Sequence, residues 1–462
     1  MTPSRSWTQY PATFREGEVR TLAGWIGRGV SAAVVGLAGT GKSNLLGFLC
    51  HRPEVVQSYL APPLASVVLV PVDLNNLPDL SAATFYRVIL RAFYEVRENF
   101  EPELAEAVAD LYQAHRASRD PFLTQSALRE LLLHFRAPNS RVALVFDRFD
   151  DFCRDAPPPL INSLRGLRDS FKDTLCYLAG MRQEAAYLPD PAALGELYEL
   201  LDSYVCWVGP MDATDARHMA AQELAGAPAG RPAEEDVEAL LALTGRFAAL
   251  LKAACTWWSL ASPRPDRSEW LLALLADTGV QHRLGEMWAG LSQEEQAVLA
   301  ALHTSRTDAA SATYHAVLSR LAAKGVVQPG ADGWSFTGEV LAAHAATAAG
   351  RGRGRIWLDE ATGQAYQGQT PILELAPLER SVLHFLIQQP YLRHTKTDLI
   401  VNTWPDELRR QGVSDDSLYQ VIAGLRKKIE PVPSQPCYVV NWRGRPEGGY
   451  RFFPEGRPNV TT

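Results

Sequence analysis

The chain has 462 residues, a formal net charge of −7, 47% apolar and 21% charged side chains. That is enough for about three domains with real cores, and it excludes a disordered or low-complexity chain. No run of about 18 apolar residues is present, so no membrane span is expected, and the opening MTPSRSWTQYPATFREGE has no apolar segment to serve as a secretory signal.

Six cysteines (Cys50, Cys153, Cys176, Cys206, Cys255, Cys437) are scattered without a CxxC pair. They read as buried thiols of a cytoplasmic protein, not as a disulfide or zinc framework. Charge is uneven. Residues 1–350 hold 30 Lys+Arg against 40 Asp+Glu, a balance of −10, and residues 351–462 hold 15 against 12, a balance of +3. A basic tail on an acidic body suggests an anionic partner for the tail.

In chain order, REGEVRTLAGWIG (15–27) has apolar residues at helical spacing. SAAVVGLAGTGKSNLLGFL then gives a short apolar strand, a Gly-rich turn and a helix. ASVVLVPVDL (65–74), RVALVFD (141–147) and TLCYLAGMR (174–182) are continuous apolar runs, hence buried strands. Helices fall between them: SAATFYRVILRAFYEV, with Ser81 as N-cap, and two more over 101–136. Buried strands alternating with helices predict an α/β fold, a parallel sheet with helices on both faces. From about 207 the chain reads as helices with Gly/Pro-rich breaks, and no solenoid repeat is present. ASPRPDR (261–267) and TAAGRGRGR (347–355) read as linkers. The expected division is a core over 1–206, a helical lid over 207–260, a middle domain over 268–348 and a C-terminal domain over 351–456.

Gly36-Leu-Ala-Gly39-Thr40-Gly41-Lys42-Ser43 is a complete GxxxxGK[ST] between a strand and a helix. Its glycines let successive backbone amides face one phosphate, and the helix N-terminus adds its dipole. Lys42 can reach the terminal phosphates and Ser43 can ligate Mg2+. Gly36, Gly39, Thr40, Gly41, Lys42, Ser43 and Asn44 are therefore the candidate nucleotide-binding residues, for ATP with GTP as the second choice. In LVFDRFDDF (144–152), Asp147 ends a buried strand, where a carboxylate holds Mg2+. Arg148 follows it and stays protonated, so it cannot act as a base. Asp150 or Asp151 could swing back towards the γ-phosphate as the base of a slow hydrolysis; the alternative is that both merely cap the next helix or lie in a solvated turn.

The spacing D-x-x-D-D resembles the corresponding stretch of STAND and NACHT-type NTPases. FREGEV (14–19) is similar to the motif that precedes the P-loop in STAND and AAA+ ATPases, which implies a place near the adenine. The resemblance implies that Arg182 is a polar sensor of the γ-phosphate. It also implies that Arg165 or Arg168 is an arginine finger for a neighbouring subunit, and hence a homo-oligomer. LTGRFAALLKAA (243–254) resembles the lid segment that packs on the nucleotide, with Phe247 in place of the family's proline. This resemblance covers about residues 14–258. LSQEEQAVLAAL, with Ser292 and Glu295 as a capping box, YHAVLSRLAAKG and VVQPGADGWSF resemble the winged helix that follows such cores. Its second helix carries only Arg320 and Lys324 as cations, which favours a structural or relaying role.

Residues 354–455 resemble the effector domain of OmpR/PhoB-type response regulators. RIWLDEATGQAYQGQ precedes a first helix that starts over Leu375–Glu379, TKTDLIVNTW fits the second helix, SLYQVIAGLRKKI the recognition helix and NWRGRPEGGYRF the wing. Leu418, Ile422 and Leu425 form one helix face. Tyr419, Gln420, Arg426 and Lys427 point elsewhere, towards a major groove. Arg443, Arg445 and Arg451 on the wing suit phosphates or a narrow minor groove, and Thr395 and Lys396 suit a phosphate at a helix N-terminus. Three departures stand out: Gly424 inside the recognition helix, Glu447 in a long wing, and Asp415 and Asp416 at the helix start. The resemblance implies double-stranded DNA as partner. The resulting expectation is a nucleotide-switched DNA-binding regulator. A defence or mobile-element ATPase that assembles on DNA, and a non-hydrolysing scaffold with protein-binding winged helices, are the alternatives.

Overall fold

A computed structural model of the chain describes residues 9–456 apart from 61–65, 137–139, 189, 227–229, 231, 262, 304–314, 331–332, 349–353, 360–361, 369, 373–374, 407–411, 432 and 445–446. It divides into two compact units, 1–290 with 323–325, and 291–322 with 326–462.

The first unit is built on a parallel sheet. Its helices and strands begin with α1 (Glu16–Gly27), β1 (Ala32–Val35), α2 (Lys42–His51), α3 (Pro53–Ser58), β2 (Val67–Val72) and α4 (Ala82–Glu95). They continue with α5 (Pro102–His115), α6 (Pro121–Arg136), β3 (Arg141–Phe146), α7 (Phe149–Asp155), α8 (Pro158–Ser170), β4 (Leu175–Met181), α9 (Tyr198–Asp202) and β5 (Val205–Trp207). The strand order is β2-β3-β4-β1-β5 and every pairing is parallel. Successive side chains of a strand face opposite ways, and both faces are apolar here. Val142, Leu144 and Phe146 join the cluster under α4 to α8. Ala143 and Val145, between them, join the cluster under α1 to α3. This two-sided burial is why the strands read as unbroken apolar runs. The α/β, P-loop fold class is as expected. Ser81 caps α4, its Oγ accepting from the Thr84 amide at 3.3 Å. The sequence pattern marks four strands; β5 is only three residues long and has no run to detect.

After the sheet come α10 (Ala213–Leu224), α11 (Glu234–Thr244), α12 (Ala248–Leu260), α13 (Trp270–Ala276) and α14 (Thr278–Ala289). The sequence places the last two in the middle domain; their contacts group them with the first unit.

The second unit begins with α15 (Gln293–His303), α16 (His315–Ala323), the hairpin β6 (Val327–Gly330) with β7 (Gly333–Phe336), and α17 (Glu339–Ala348). Ser292 and Glu295 exchange the two bonds of the expected capping box. Its C-terminal part runs β8 (Ile356–Asp359), β9 (Gln364–Gln367), β10 (Thr370–Pro371), α18 (Pro377–Gln388), β11 (Arg393–Thr395), α19 (Lys396–Thr403), α20 (Asp415–Ile429), β12 (Val439–Trp442) and β13 (Gly449–Phe452). β8 to β10 form one antiparallel sheet, and β11, β13 and β12 another. Leu418, Ile422, Leu425 and Ile429 of α20 are buried against Val382, Leu383 and Leu386 of α18. Among the described residues, no helix is long and apolar enough to cross a membrane.

Candidate nucleotide site and C-terminal surface

The turn after β1 is shaped by its glycines. Gly39 and Gly41 have φ of +78° and +98°, a region that disfavours other residues. A Cβ on Gly36 would lie 2.4 Å from the Val208 carbonyl oxygen, and one on Gly39 2.6 Å from Cβ of Ala249. The Ala249 amide donates to the Gly39 carbonyl at 2.9 Å. The start of α12 therefore sits directly on the loop, and Phe247 beside it is fully buried. The Lys42 amine donates to the carbonyls of Gly36 and Leu37, the latter at 3.1 Å. Burial pushes its pKa down to about 8 from 10.5, opposed by Asp150 and then Asp147. Ser43 is exposed and Asn44 half-buried at the start of α2, while Thr40 is buried with its hydroxyl on the Leu37 carbonyl.

FREGEV lies against this loop. Phe14 packs edge-on to Phe48 at 5.3 Å. Arg15, 3% exposed, donates from Nη2 to the carbonyls of Thr40 (2.7 Å) and Gly209 (3.0 Å) and from Nη1 to Glu18. Its amide donates to Asp215 of α10 at 2.8 Å, and burial raises the Asp215 pKa. Neither role is visible in the sequence. The partners are 25 to 200 residues apart, and nothing in the local pattern signals them.

The acids divide. Asp147 stands at the end of β3, where Gly180 of β4 leaves it room: a Cβ there would be 3.1 Å from Asp147 Oδ1. Arg148 turns the chain through a left-handed conformation, φ 54°, and α7 starts immediately after. Asp150 and Asp151 both lie in its first turn, where carboxylates suit the helix dipole. Asp151 is bound by Arg182 at 2.7 Å and by Arg154 at 3.4 Å. Asp150 accepts from the Arg182 amide through Oδ2, and its buried Oδ1 has no partner. Burial raises its pKa, and it is the strongest charged neighbour of Lys42. Arg182 thus orients both acids. A cavity of about 470 Å3 lined by Asn75, Arg148, Asp151, Arg154 and Arg182 opens beside Asp151; none of its lining residues belongs to the P-loop. Among the described residues no group of three or more His, Cys, Asp or Glu could hold a metal ion. Arg165 bonds Asp169, Glu199 and the Glu196 carbonyl, and Arg168 the Gly29 carbonyl and Asp169.

Among the described residues of the second unit, several cations are engaged. On α16, Arg320 pairs with Glu294 and Glu295; Lys324, just past its end, is buried and belongs to the first unit. On α20, Tyr419, Gln420 and Lys427 are exposed as expected. Arg426 is not directed outward. Its guanidinium bends back to the Val439 carbonyl and to Asn441 of β12, at 2.6 Å, because its aliphatic stem reaches the hairpin base. Arg451 sits on the face of β13 opposite the buried Tyr450 and Phe452 and donates to the Tyr391 carbonyl at 2.7 Å. Thr395 caps α19 in a reciprocal pair with Asp398. Lys396 is bound to Asp415 at 2.6 Å over the Tyr419 ring. Arg443 is exposed on the hairpin, and Arg445 lies outside the described residues. Gly424 has a local cause: a Cβ there would lie 2.2 Å from Oε1 of Glu379, whose carboxylate caps α18 and pairs with Lys428.

Fold and site together define a P-loop NTPase core joined to a C-terminal winged-helix domain of the OmpR/PhoB type. Residues 368–452 match the family described as "Transcriptional regulatory protein, C terminal". Solved structures similar to the chain include a Walker-type ATPase of Pyrococcus abyssi, at 14% identity and TM-score 0.44, covering 72% of this chain and 95% of that one. They also include the ORC2 protein of Aeropyrum pernix in ADPNP–ADP complexes, at 16% and 0.36, covering 72% and 94%, and the ORC1 protein of the same organism in complex with DNA, at 15% and 0.35, covering 72% and 92%. Likeness of this order assigns no role to any residue. No curated protein matches the chain.

Proposed function

We propose that the chain is a nucleotide-switched DNA-binding regulator, in which ATP held at the P-loop controls the C-terminal winged helix. The observation that carries the nucleotide half is the arrangement around Lys42. A desolvated ammonium rests on backbone carbonyls in a glycine cradle, facing a buried carboxylate with one unpartnered oxygen. A phosphate would offer that ammonium stronger acceptors than neutral carbonyls. Gly36 to Asn44 would hold the phosphates, and Ser43 and Asp147 would hold a Mg2+ that neutralises charge on them. Of the two acids offered as base, Asp150 fits better: Asp151 is committed to Arg182 and Arg154, whereas Asp150 has a free oxygen and a raised pKa, both suited to taking a proton. Arg182 then serves by orienting Asp150. The contact of α12 with Gly39, and of Arg15 with Thr40 and Asp215, supports a lid that responds to the state of the loop. The family match over 368–452, with Tyr419, Gln420, Lys427 and Arg443 exposed, supports duplex DNA as the partner of the other end.

Phosphate release tests the first half. Lys42→Ala and Asp150→Asn should abolish turnover, with Asp151→Ala keeping a measurable rate. Full activity of Asp150→Asn would remove it as base. For the second half, selection from a random duplex pool should return a consensus; if none emerges with ATP or ADP present, an operator-reading role is wrong. Duplex-stimulated turnover without a consensus would favour the DNA-assembling ATPase instead.

A further inference from the structure

The second unit presents its helix-turn-helix with its own anions already in place. At the start of α19 both the Thr397 amide and the Thr397 hydroxyl donate to the carboxylate of Glu447, each at 3.0 Å. Glu447 is carried there by the wing. It precedes Gly448 and Gly449, whose backbones run so close to their neighbours that a Cβ would lie 2.8 Å from the Trp442 carbonyl oxygen and 1.9 Å from that of His394. The register of β13 against β11, with Gly449 opposite Thr395, holds the wing base beside the first turn of α19. The adjacent cation is taken as well, since the Lys396 ammonium is bound by Asp415 from the first turn of α20.

We propose that Glu447 is an autoinhibitory counter-anion: it occupies the donors of Thr397 that a DNA phosphate would otherwise use, and duplex binding proceeds only by displacing it. The inference rests on the DNA-binding reading of this domain. An exposed amide and hydroxyl at a helix N-terminus attract any anion, so a tethered carboxylate and a backbone phosphate compete for the same atoms. The tethered anion has the advantage of proximity, and the phosphate prevails only when several other contacts are made together. Asp415 acts in the same sense on Lys396. Such contacts carry no base information, so the penalty applies equally to every sequence.

The test uses the full chain and a labelled random-sequence duplex, titrated by anisotropy between about 50 and 200 mM salt. Glu447→Gln should bind about 10-fold more tightly at the lower salt, with a slope of log affinity against log salt steeper by about one unit. Asp415→Asn should give a smaller gain in the same direction. Adding Thr397→Val to Glu447→Gln should cancel part of the gain, because the hydroxyl donor is lost while the backbone amide of residue 397 stays. If Glu447 only anchors the wing, Glu447→Gln binds as wild type or more weakly, which overturns the inference while leaving DNA binding by the wild type intact. Should Glu447→Gln melt lower, Asp415→Asn, which leaves the wing alone, decides: no gain there overturns the inference too. Absence of binding by wild type and all variants would overturn both this inference and the DNA-binding reading.

Discussion

Two lysines, one in each unit, sit at the sites where an anion is expected, and their environments are opposite. Lys42 is desolvated and rests on neutral carbonyls, so its pKa falls to about 8. Lys396 is half-buried and hydrogen-bonded to Asp415, which raises its pKa. An incoming phosphate gives Lys42 the counter-charge it lacks; at Lys396 it must replace one already there. Lys42 is thus placed to be completed by a ligand. The helix-turn-helix of this chain, by contrast, is built to be stable without one.

The largest expected effect follows from that contrast. Lys42→Ala should weaken nucleotide binding by roughly 10- to 100-fold, since a hydrogen bond from a charged donor is worth about 1.5–3 kcal/mol. Calorimetric titration checks it, and an unchanged affinity would mean the cradle does not hold phosphate. The same asymmetry sets a pH dependence. The bound form needs Lys42 charged, while the empty form loses that proton near pH 8. Affinity should therefore be flat below pH 8 and fall above it, with uptake of about half a proton on binding at pH 8. Titrations in buffers of different ionisation enthalpy measure the uptake.

In the second unit, Arg426→Ala should lower stability by about 1–3 kcal/mol by leaving the Val439 carbonyl and Asn441 without their donor. Its melting temperature should fall together with DNA affinity. A loss of affinity with unchanged melting would instead return Arg426 to the groove. Gly424→Ala sharpens the point. Helix propensity alone favours alanine by about 1 kcal/mol, but the new methyl would meet the Glu379 carboxylate. Net destabilisation of about 1–2 kcal/mol is expected, and a stabilised variant would show that Glu379 moves freely. Lys396→Ala should have the smallest effect, within a few-fold in DNA affinity, because an exposed ion pair contributes little and removing it also frees Asp415 to repel phosphate.

Much of this was legible in the sequence because it depends on local spacing. The P-loop, the four longer strands, the cap at Ser81, the Ser292–Glu295 box and the buried face of α20 all follow from periodicity or adjacent residues. What was not legible depends on where a side chain ends. Asp150 and Asp151 are indistinguishable until Arg148 fixes the first turn of α7 and Arg182 selects its partner. A helical wheel places Arg426 outside, but its stem is long enough to return to β12. Gly424 reads as a defect until Glu379, 45 positions away by the numbering, is seen filling its space. Arg15 is bound to carbonyls of the P-loop and the chain after β5, and no local pattern encodes that.

The most direct measurement is duplex affinity for the empty, ADP-loaded and ATP-loaded chain at one salt concentration. A nucleotide switch requires these to differ by at least about 5-fold, the lower end of coupling between linked sites, with Lys42→Ala fixed at the empty value whatever nucleotide is added. Equal affinities in all three states would contradict control of the C-terminal domain by the P-loop.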